Sequence, residues 1–216
     1  MKKLFYLSAF LLSLIQPSAC AQSKGEASET KMGQTEKNKT NKMTPTKTLV
    51  VYFSRTGNNY AVGNIKEGNT QIVANFIAQE TGAEVFRINP IKAYPEDYTE
   101  CTEVAKKERD SKARPEYQGD IDIAPFDTIF IGYPNWWGDA PMPVYTFIDK
   151  HNWNGKTVVP FCTHEGSGLS NTQEIKEACK GASLLKGFDI YGHTAQKDRS
   201  LTEKSVKEWL LSMGKK

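Results

Sequence analysis

From residue 48 onward the chain alternates short apolar runs rich in β-branched residues with longer stretches whose apolar positions recur at helical spacing. That alternation is the pattern of a parallel sheet covered by helices on both faces. It predicts strands over residues 49–53, 83–88, 128–133, 157–162 and 183–190. Ile129, Phe130 and Ile131 show no polar alternation, so the third strand reads as buried on both sides. Helices are predicted over 70–81, 98–109, 144–151, 170–180 and 202–213. Gly82, Gly181 and Gly214 stand just past three of them, where a left-handed C-cap is needed, and Thr70 and Thr202 are placed to open the first and last as N-caps. The fold class is therefore α/β, a doubly wound five-stranded parallel sheet. One irregular piece, residues 59–69, separates the first strand from the first helix. It exceeds the about two to six residues usual for such a loop, and long loops at that position tend to be functional.

The N-terminus breaks the pattern. Lys2 and Lys3 precede a mostly apolar run from Leu4 to Ile15, then Pro17 and small residues, the layout of an export signal over residues 1–21. The run falls short of the ~20 residues a membrane span needs. Ala19-Cys20-Ala21 fits ordinary signal cleavage, whereas Ser18-Ala19-Cys20 resembles a bacterial lipobox. The lipoprotein reading is favoured, because the polar stretch 22–46 is the tether expected between a lipid on Cys20 and a domain at 47–216. The protein is then exported, as a periplasmic protein or a membrane-anchored lipoprotein, with membrane association only through that N-terminal lipid.

Charge and cysteines narrow the picture further. Removing the signal lowers the formal charge from +3 to +1, and removing the tether leaves the domain at about −1, so no basic nucleic-acid footprint is present. Beyond Cys20 an odd set remains, Cys101, Cys162 and Cys179. The strand layout puts Cys162 and Cys179 towards opposite ends of the sheet, out of disulfide reach, which predicts free buried thiols.

In an open parallel sheet a ligand sits outside the carboxyl ends of the strands, and the three segments there are unusual. After the first strand come Ser54, Arg55, Thr56, Gly57 and Asn58, with Asn69 and Thr70 opening the helix. Small hydroxyl residues and glycine leading into a helix N-terminus supply O–H and N–H donors for a phosphate. After the third come Pro134, Asn135, Trp136, Trp137 and Gly138. Two adjacent Trp in a loop either fill a core edge or stack on a flat ligand. Neighbours cannot both point one way, so one is expected in the core, with Trp137, beside flexible Gly138, as the stacking ring. After the fourth come Thr163, His164, Glu165, Gly166, Ser167 and Gly168, a polar glycine-rich loop able to approach a heterocycle edge.

Other chemistries fit poorly. Gly155-Lys156-Thr157 leads into a strand and has Lys150 where the first Walker glycine belongs; Gly168 stands where a phosphatase following Cys162 would place its Arg. His164-Glu165 lacks the second His of a zinc helix, His151 and His193 lack ligand spacing, and Ser167 lacks a nucleophile-elbow frame. Asp97, Glu100, Glu103, Lys106, Lys107, Glu108 and Arg109 read as the solvated face of a helix, with no chemistry assigned.

Taken together, Tyr52 to Asn58, Gly132 to Trp137 and Pro160 to Gly168 resemble the flavodoxin family, over about residues 47–216 and closest to the branch with an extended first loop before Gly68-Asn69-Thr70. The resemblance implies a sheet of order 2-1-3-4-5 binding FMN. Ser54, Arg55, Thr56, Asn58 and Thr70 would hold the phosphate, Pro134 to Gly138 the ring, and Thr163 to Gly168 its pyrimidine side. Gly138 matches a glycine whose peptide can turn to meet the reduced cofactor. Electron transfer to a redox partner protein or a small electron acceptor follows from the resemblance, with an FMN-dependent NAD(P)H:quinone-type oxidoreductase and a flavin-less surface binding module as alternatives. Flavodoxins are typically acidic and cytoplasmic; this domain is near neutral and carries an export signal, which points away from their usual partners. If the lipobox reading holds, Cys20→Ser moves the protein from the membrane to the soluble fraction of fractionated cells; unchanged partition would contradict it.

Overall fold

The computed structural model describes residues 47–214; the signal, Cys20 and the tether inferred above lie outside those residues. The sheet is built from β1 (Thr48–Tyr52), β4 (Glu84–Arg87), β5 (Thr128–Pro134), β6 (Thr157–His164), β7 (Ser183–Leu184) and β8 (Phe188–Tyr191). Its order is β4-β1-β5-β6-β7, with β8 also paired to β6, and every pairing is parallel. This is the order 2-1-3-4-5 when β7 and β8 count as one strand. Helices α1 (Asn69–Thr81), α2 (Tyr98–Asp110), α3 (Met142–Lys150), α4 (Thr172–Ala178), α5 (Gly192–Lys197) and α6 (Arg199–Met213) flank it.

Strand alternation sorts the core into two layers, because successive side chains leave a strand on opposite faces. Leu49, Val51, Phe53, Ile129, Ile131, Tyr133 and Val158 pack with Val144, Phe147 and Ile148 of α3 and Ile175 of α4. Val50, Tyr52, Phe130, Val159 and Phe161 pack on the other side with Ile72, Val73 and Ile77 of α1, Ala195 of α5, and Val206 and Trp209 of α6. The central strands are buried on both faces, as the unbroken run at 129–131 predicts.

Five local expectations are corrected. The fifth strand is not continuous over 183–190. Val158 pairs with Leu184 and Phe161 with Phe188, so three residues stand opposite Val159 and Pro160, a one-residue bulge. Pro160 has no N–H for the ladder, and a Cβ on Gly187 would lie 2.4 Å from the Pro160 carbonyl oxygen, so the chain can approach there only as glycine. Thr70 does not cap α1. Gly68 holds the N-cap position, and Ser54 Oγ accepts the Gln71 N–H at 3.1 Å from outside the helix. Likewise α6 opens at Asp198, whose side chain accepts the Leu201 N–H, and places Thr202 inside the helix. Gly82 caps α1 in the left-handed conformation at φ 66°, Gly181 is left-handed at φ 84° but lies beyond α4, whose C-cap is Cys179, and Gly214 is not left-handed, at φ −84°. Finally, the stretch expected to be irregular contains an antiparallel hairpin, β2 (Gly57–Asn59) with β3 (Gly63–Ile65). Its turn needs positive φ at Ala61 and Gly63.

Gly132 lies in β5 against a buried ring: a Cβ there would stand 2.0 Å from Phe161 Cζ, and Phe161 has no exposed surface into which to retreat. Gly132→Ala is expected to destabilise the domain by about 1–3 kcal/mol, read from the urea midpoint; an unchanged midpoint would contradict this packing.

Candidate functional site

The carboxyl ends of β1, β5 and β6 open into one cavity of about 420 Å³. Of the residues singled out from the sequence, Arg55, Asn69, Pro134, Asn135, Trp136, Trp137, Thr163, His164 and Glu165 line it. Ser54, Thr70, Thr56, Gly57, Asn58, Gly138, Gly166, Ser167 and Gly168 surround it without lining it. Ser54 and Thr70 are buried beneath the loop, while Thr56, Asn58, Gly138, Gly166 and Ser167 are exposed.

At the β1 end, the loop and the first turn of α1 are held in close contact. A Cβ on Gly68 would fall 2.2 Å from Ser54 Oγ and 2.6 Å from the Arg55 carbonyl oxygen, so only glycine admits this approach. The Thr70 and Thr163 hydroxyls meet at 2.7 Å and join α1 to the end of β6. Amides in the first turn of a helix have no intrahelical acceptor, and the dipole adds positive potential there. Arg87 sits behind the loop with Nη2 donating to Ser54 O at 3.2 Å, while its buried Nε lacks a partner among the described residues. Arg55 behaves differently from a free anion ligand. Its guanidinium donates to the Asn58 carbonyl and to Pro95 O and Glu96 O at 2.6 and 2.8 Å, clamping the hairpin base to the segment before α2.

At the β5 end the two Trp part company. Trp136 turns inward, edge-on to Phe53 at 5.2 Å and Tyr94 at 5.0 Å between centroids. Trp137 is 49% exposed on the cavity rim. The backbones of Trp136 and Asp139 exchange hydrogen bonds of 2.8 and 3.1 Å, and Trp137 and Gly138 have φ of 57° and 81°. This is a two-residue type I′ turn. A non-glycine residue in that conformation costs on the order of 1–2 kcal/mol, and local bonds offset it. The Trp137 indole N–H donates to Thr102 O at 2.9 Å, and the Trp137 carbonyl accepts from Arg109 Nη1 at 2.7 Å. The Gly138 N–H donates to Asn135 Oδ1 at 2.9 Å, and the Arg109 guanidinium lies 5.8 Å from the Trp137 ring centre.

These contacts revise the reading of α2 as a solvated helix without a role. Arg109 holds the rim Trp, Glu108 accepts the Tyr94 hydroxyl, and Asp97 caps the helix through the Glu100 N–H. The face of α2 that carries Glu108 and Arg109 continues into the cavity lining with Tyr98, Cys101, Thr102 and Ala105. Their i, i+3, i+4, i+7 spacing was visible in the sequence as a stripe through the charges. Tyr60, from the hairpin, stacks on Tyr98 at 6.2 Å and also borders the cavity; only the length of its loop hinted at it.

At the β6 end, His164 Nδ1 accepts the Gly166 N–H at 2.9 Å and Nε2 faces Asp189 Oδ2 at 2.9 Å. Glu165 Oε1 accepts the His193 backbone N–H at 2.8 Å, and Oε2 meets the His193 imidazole. Asn135 N–H donates to Thr163 O at 2.8 Å, which keeps the two loops side by side.

An open parallel sheet with donors at one end of an edge cavity and an aromatic rim at the other defines a doubly wound, nucleotide-type binding domain. The chain belongs to the flavodoxin family: the family model described as Flavodoxin matches residues 47–213. A candidate flavoprotein from Bacteroides eggerthii is 30% identical, with 79% of this chain and 99% of that one aligned at a TM-score of 0.62. A candidate flavoprotein from Bacteroides uniformis is 32% identical, with 75% and 98% aligned at 0.58. A flavoprotein from Lactobacillus acidophilus, crystallised in complex with FMN, shares the fold at 23% identity and a TM-score of 0.55, over 67% and 93% of the two chains. No curated protein matches the chain significantly.

Cys101, Cys162 and Cys179 are buried free thiols. Burial pushes the Cys179 thiol up to about 12 and raises Cys162; Cys101 is raised by burial despite nearby Arg55. All three should resist alkylation at pH 8 in the folded protein and react once it is unfolded, as mapped by mass spectrometry. The stability they lend is fully present below the unfolded thiol value of about 8.5. It is lost as pH rises from there through the folded values, since the unfolded chain then binds fewer protons. Urea midpoints that stay flat from about pH 8.5 to 11 would contradict these environments.

Proposed function

We propose that the domain binds FMN in this edge cavity and works as an electron-transfer protein outside the cytoplasm, exchanging electrons with a redox partner protein or small acceptor. The observation that carries the reading is the polarity of the cavity: uncompensated helix amides at one end and an indole pinned half-exposed at the other, within one space. That arrangement suits a ligand with an anionic tail and a flat aromatic head. The tight approach at Gly68 fits this group, because it draws the Ser54 loop onto the N-terminus of α1, where a phosphate would be received. The unpartnered Arg87 Nε behind the loop adds positive charge on the same side. Family membership and the FMN complex of the Lactobacillus relative support the choice of cofactor.

Asn69 and Thr70 amides with the Ser54, Thr56 and Asn58 side chains would hold the phosphate, and Trp137 would cover the ring. Bound FMN supplies one- and two-electron redox chemistry. The chain's own work is to bind, orient and shield: Arg109 and Thr102 fix the Trp137 ring, Asn135 orients the Gly138 amide, and Thr163 ties the two loops to α1. Electron transfer requires no side-chain nucleophile. The export pattern at the N-terminus supports a location outside the cytoplasm, with lipid on Cys20 as the anchor.

The purified protein is expected to be yellow or to take up added FMN. Thr56→Ala removes a phosphate donor and should weaken FMN by about tenfold or more, given about 1.5–3 kcal/mol for a hydrogen bond to a charged group. Riboflavin, without the phosphate, should be bound equally by both proteins. Fluorescence-quenching titrations read these values, and a colourless protein that ignores FMN would overturn the proposal.

A further inference from the structure

We infer that Glu165 and His193 form a proton relay between solvent and the cavity, so that redox chemistry there is proton-coupled and suited to acceptors of the quinone type. This inference rests on the FMN reading above. Glu165 lines the cavity with its side chain only 16% exposed, whereas the His193 side chain is 44% exposed. One residue thus faces the ligand space and the other faces water, and they are in contact: Glu165 Oε2 lies 2.5 Å from His193 Nδ1. The second oxygen, Oε1, accepts the His193 backbone N–H at 2.8 Å, which fixes the carboxylate in register with the imidazole. A carboxylate has about four lone-pair sites, so both oxygens keep capacity towards the cavity.

The chain is shaped for this contact. A Cβ on Gly192 would stand 2.8 Å from Glu165 Oε1 and 2.1 Å from Asn69 Nδ2, so a side chain there would push the pair apart. Gln196 of α5 donates to Asn69 Oδ1 at 2.8 Å and to the Glu67 carbonyl at 2.6 Å, anchoring that helix to the start of α1.

The neighbouring histidine cannot serve. The His164 side chain is 4% exposed and its Nδ1 accepts the Gly166 N–H, so Nε2 carries the proton towards Asp189 and the tautomer is fixed. His193 carries a proton on Nδ1 towards the Glu165 carboxylate, while its Nε2 has no partner among the described residues and can exchange with water. The other ionisable groups around the pair are the His164–Asp189 couple, Tyr191, whose ring lies 4.8 Å from His164 and 5.1 Å from His193, and the Glu67–Arg199 ion pair at 3.1 Å.

The redox partner of the proposed function delivers two electrons without protons, and a quinone-type acceptor leaves as a hydroquinone carrying two electrons and two protons, so two protons per turnover come from water. Each enters at His193 Nε2 to give the imidazolium, whose Nδ1 proton passes to Glu165 Oε2; this leaves the ring as its Nε2–H tautomer, and the Glu165 carboxyl releases its proton into the cavity. Swinging of the half-exposed imidazole into water, where Nε2 loses its proton and Nδ1 regains one, resets the pair.

The test is stopped-flow oxidation of the reduced, FMN-loaded full-length protein by a quinone for wild type, Glu165→Gln and His193→Gln, with the midpoint potentials measured by spectroelectrochemistry as a second readout. The expected result is a rate lowered several-fold in both variants and restored in His193→Gln by added imidazole, with midpoint potentials unchanged, because a relay supplies a path for the proton and not a driving force. A wild-type rate in either variant, slowing that imidazole does not relieve, or slowing that tracks a shifted midpoint potential would overturn the relay while leaving FMN binding intact. A protein that does not bind FMN would overturn the earlier reading and the relay with it.

Discussion

The contact between Ser54 and the first turn of α1 sets the geometry on which the site depends. It exists because position 68 has no side chain: glycine lets the β1 loop lie against the helix, and the Ser54 hydroxyl accepts the Gln71 amide that would otherwise lack a partner. From there the constraint spreads sideways. Thr70, in the same turn, meets Thr163 at the end of β6, and Thr163 in turn accepts the Asn135 amide at the end of β5. Three loops that are far apart in sequence are thereby fixed by a short chain of hydrogen bonds, two of them between buried hydroxyls or backbone groups. Such bonds are strong where water is excluded and costly to leave unmade.

The rim follows a different logic. Trp137 sits in a backbone conformation that disfavours a large side chain, and the turn persists because Thr102, Arg109 and Asn135 over-determine it. Strain of this kind concentrates at binding sites, and here it presents the one strongly exposed indole of the pair to the cavity while Trp136 joins the core. α2 is accordingly the element that supports the rim, although more than half of its side chains are charged.

Much of this was legible in the sequence. The strands followed from apolar periodicity, the position of the cavity from the rule that ligands sit beyond the strand ends, and the parting of the two Trp from their adjacency, while the strand order came from the resemblance to flavodoxins. What escaped depended on contacts between distant residues. Thr70 has the chemistry of an N-cap, but a hydroxyl from the loop after β1 already does that work. The charged residues of α2 concealed the stripe of Tyr98, Cys101, Thr102 and Ala105, because charges on a helix usually mark its solvent face. The pairing of Glu165 with His193 required knowing that β8 delivers α5 to the same edge. The bulge at Leu185 to Gly187 escaped as well, since 183–190 reads as one continuous strand and the only local sign is Pro160 across from it, a residue the ladder cannot fully accommodate.

The central claim is that one cavity, bounded by the first turn of α1, the Trp137 turn and the Glu165 loop, receives the flavin nucleotide. Amide chemical-shift mapping during titration with FMN tests this most directly. The account predicts that the largest shifts fall together on Asn69, Thr70, Trp137, Gly138 and Glu165, with those on Asn69 and Thr70 missing when riboflavin replaces FMN. Shifts confined to other faces of the domain, or none at all on saturation with FMN, would contradict it.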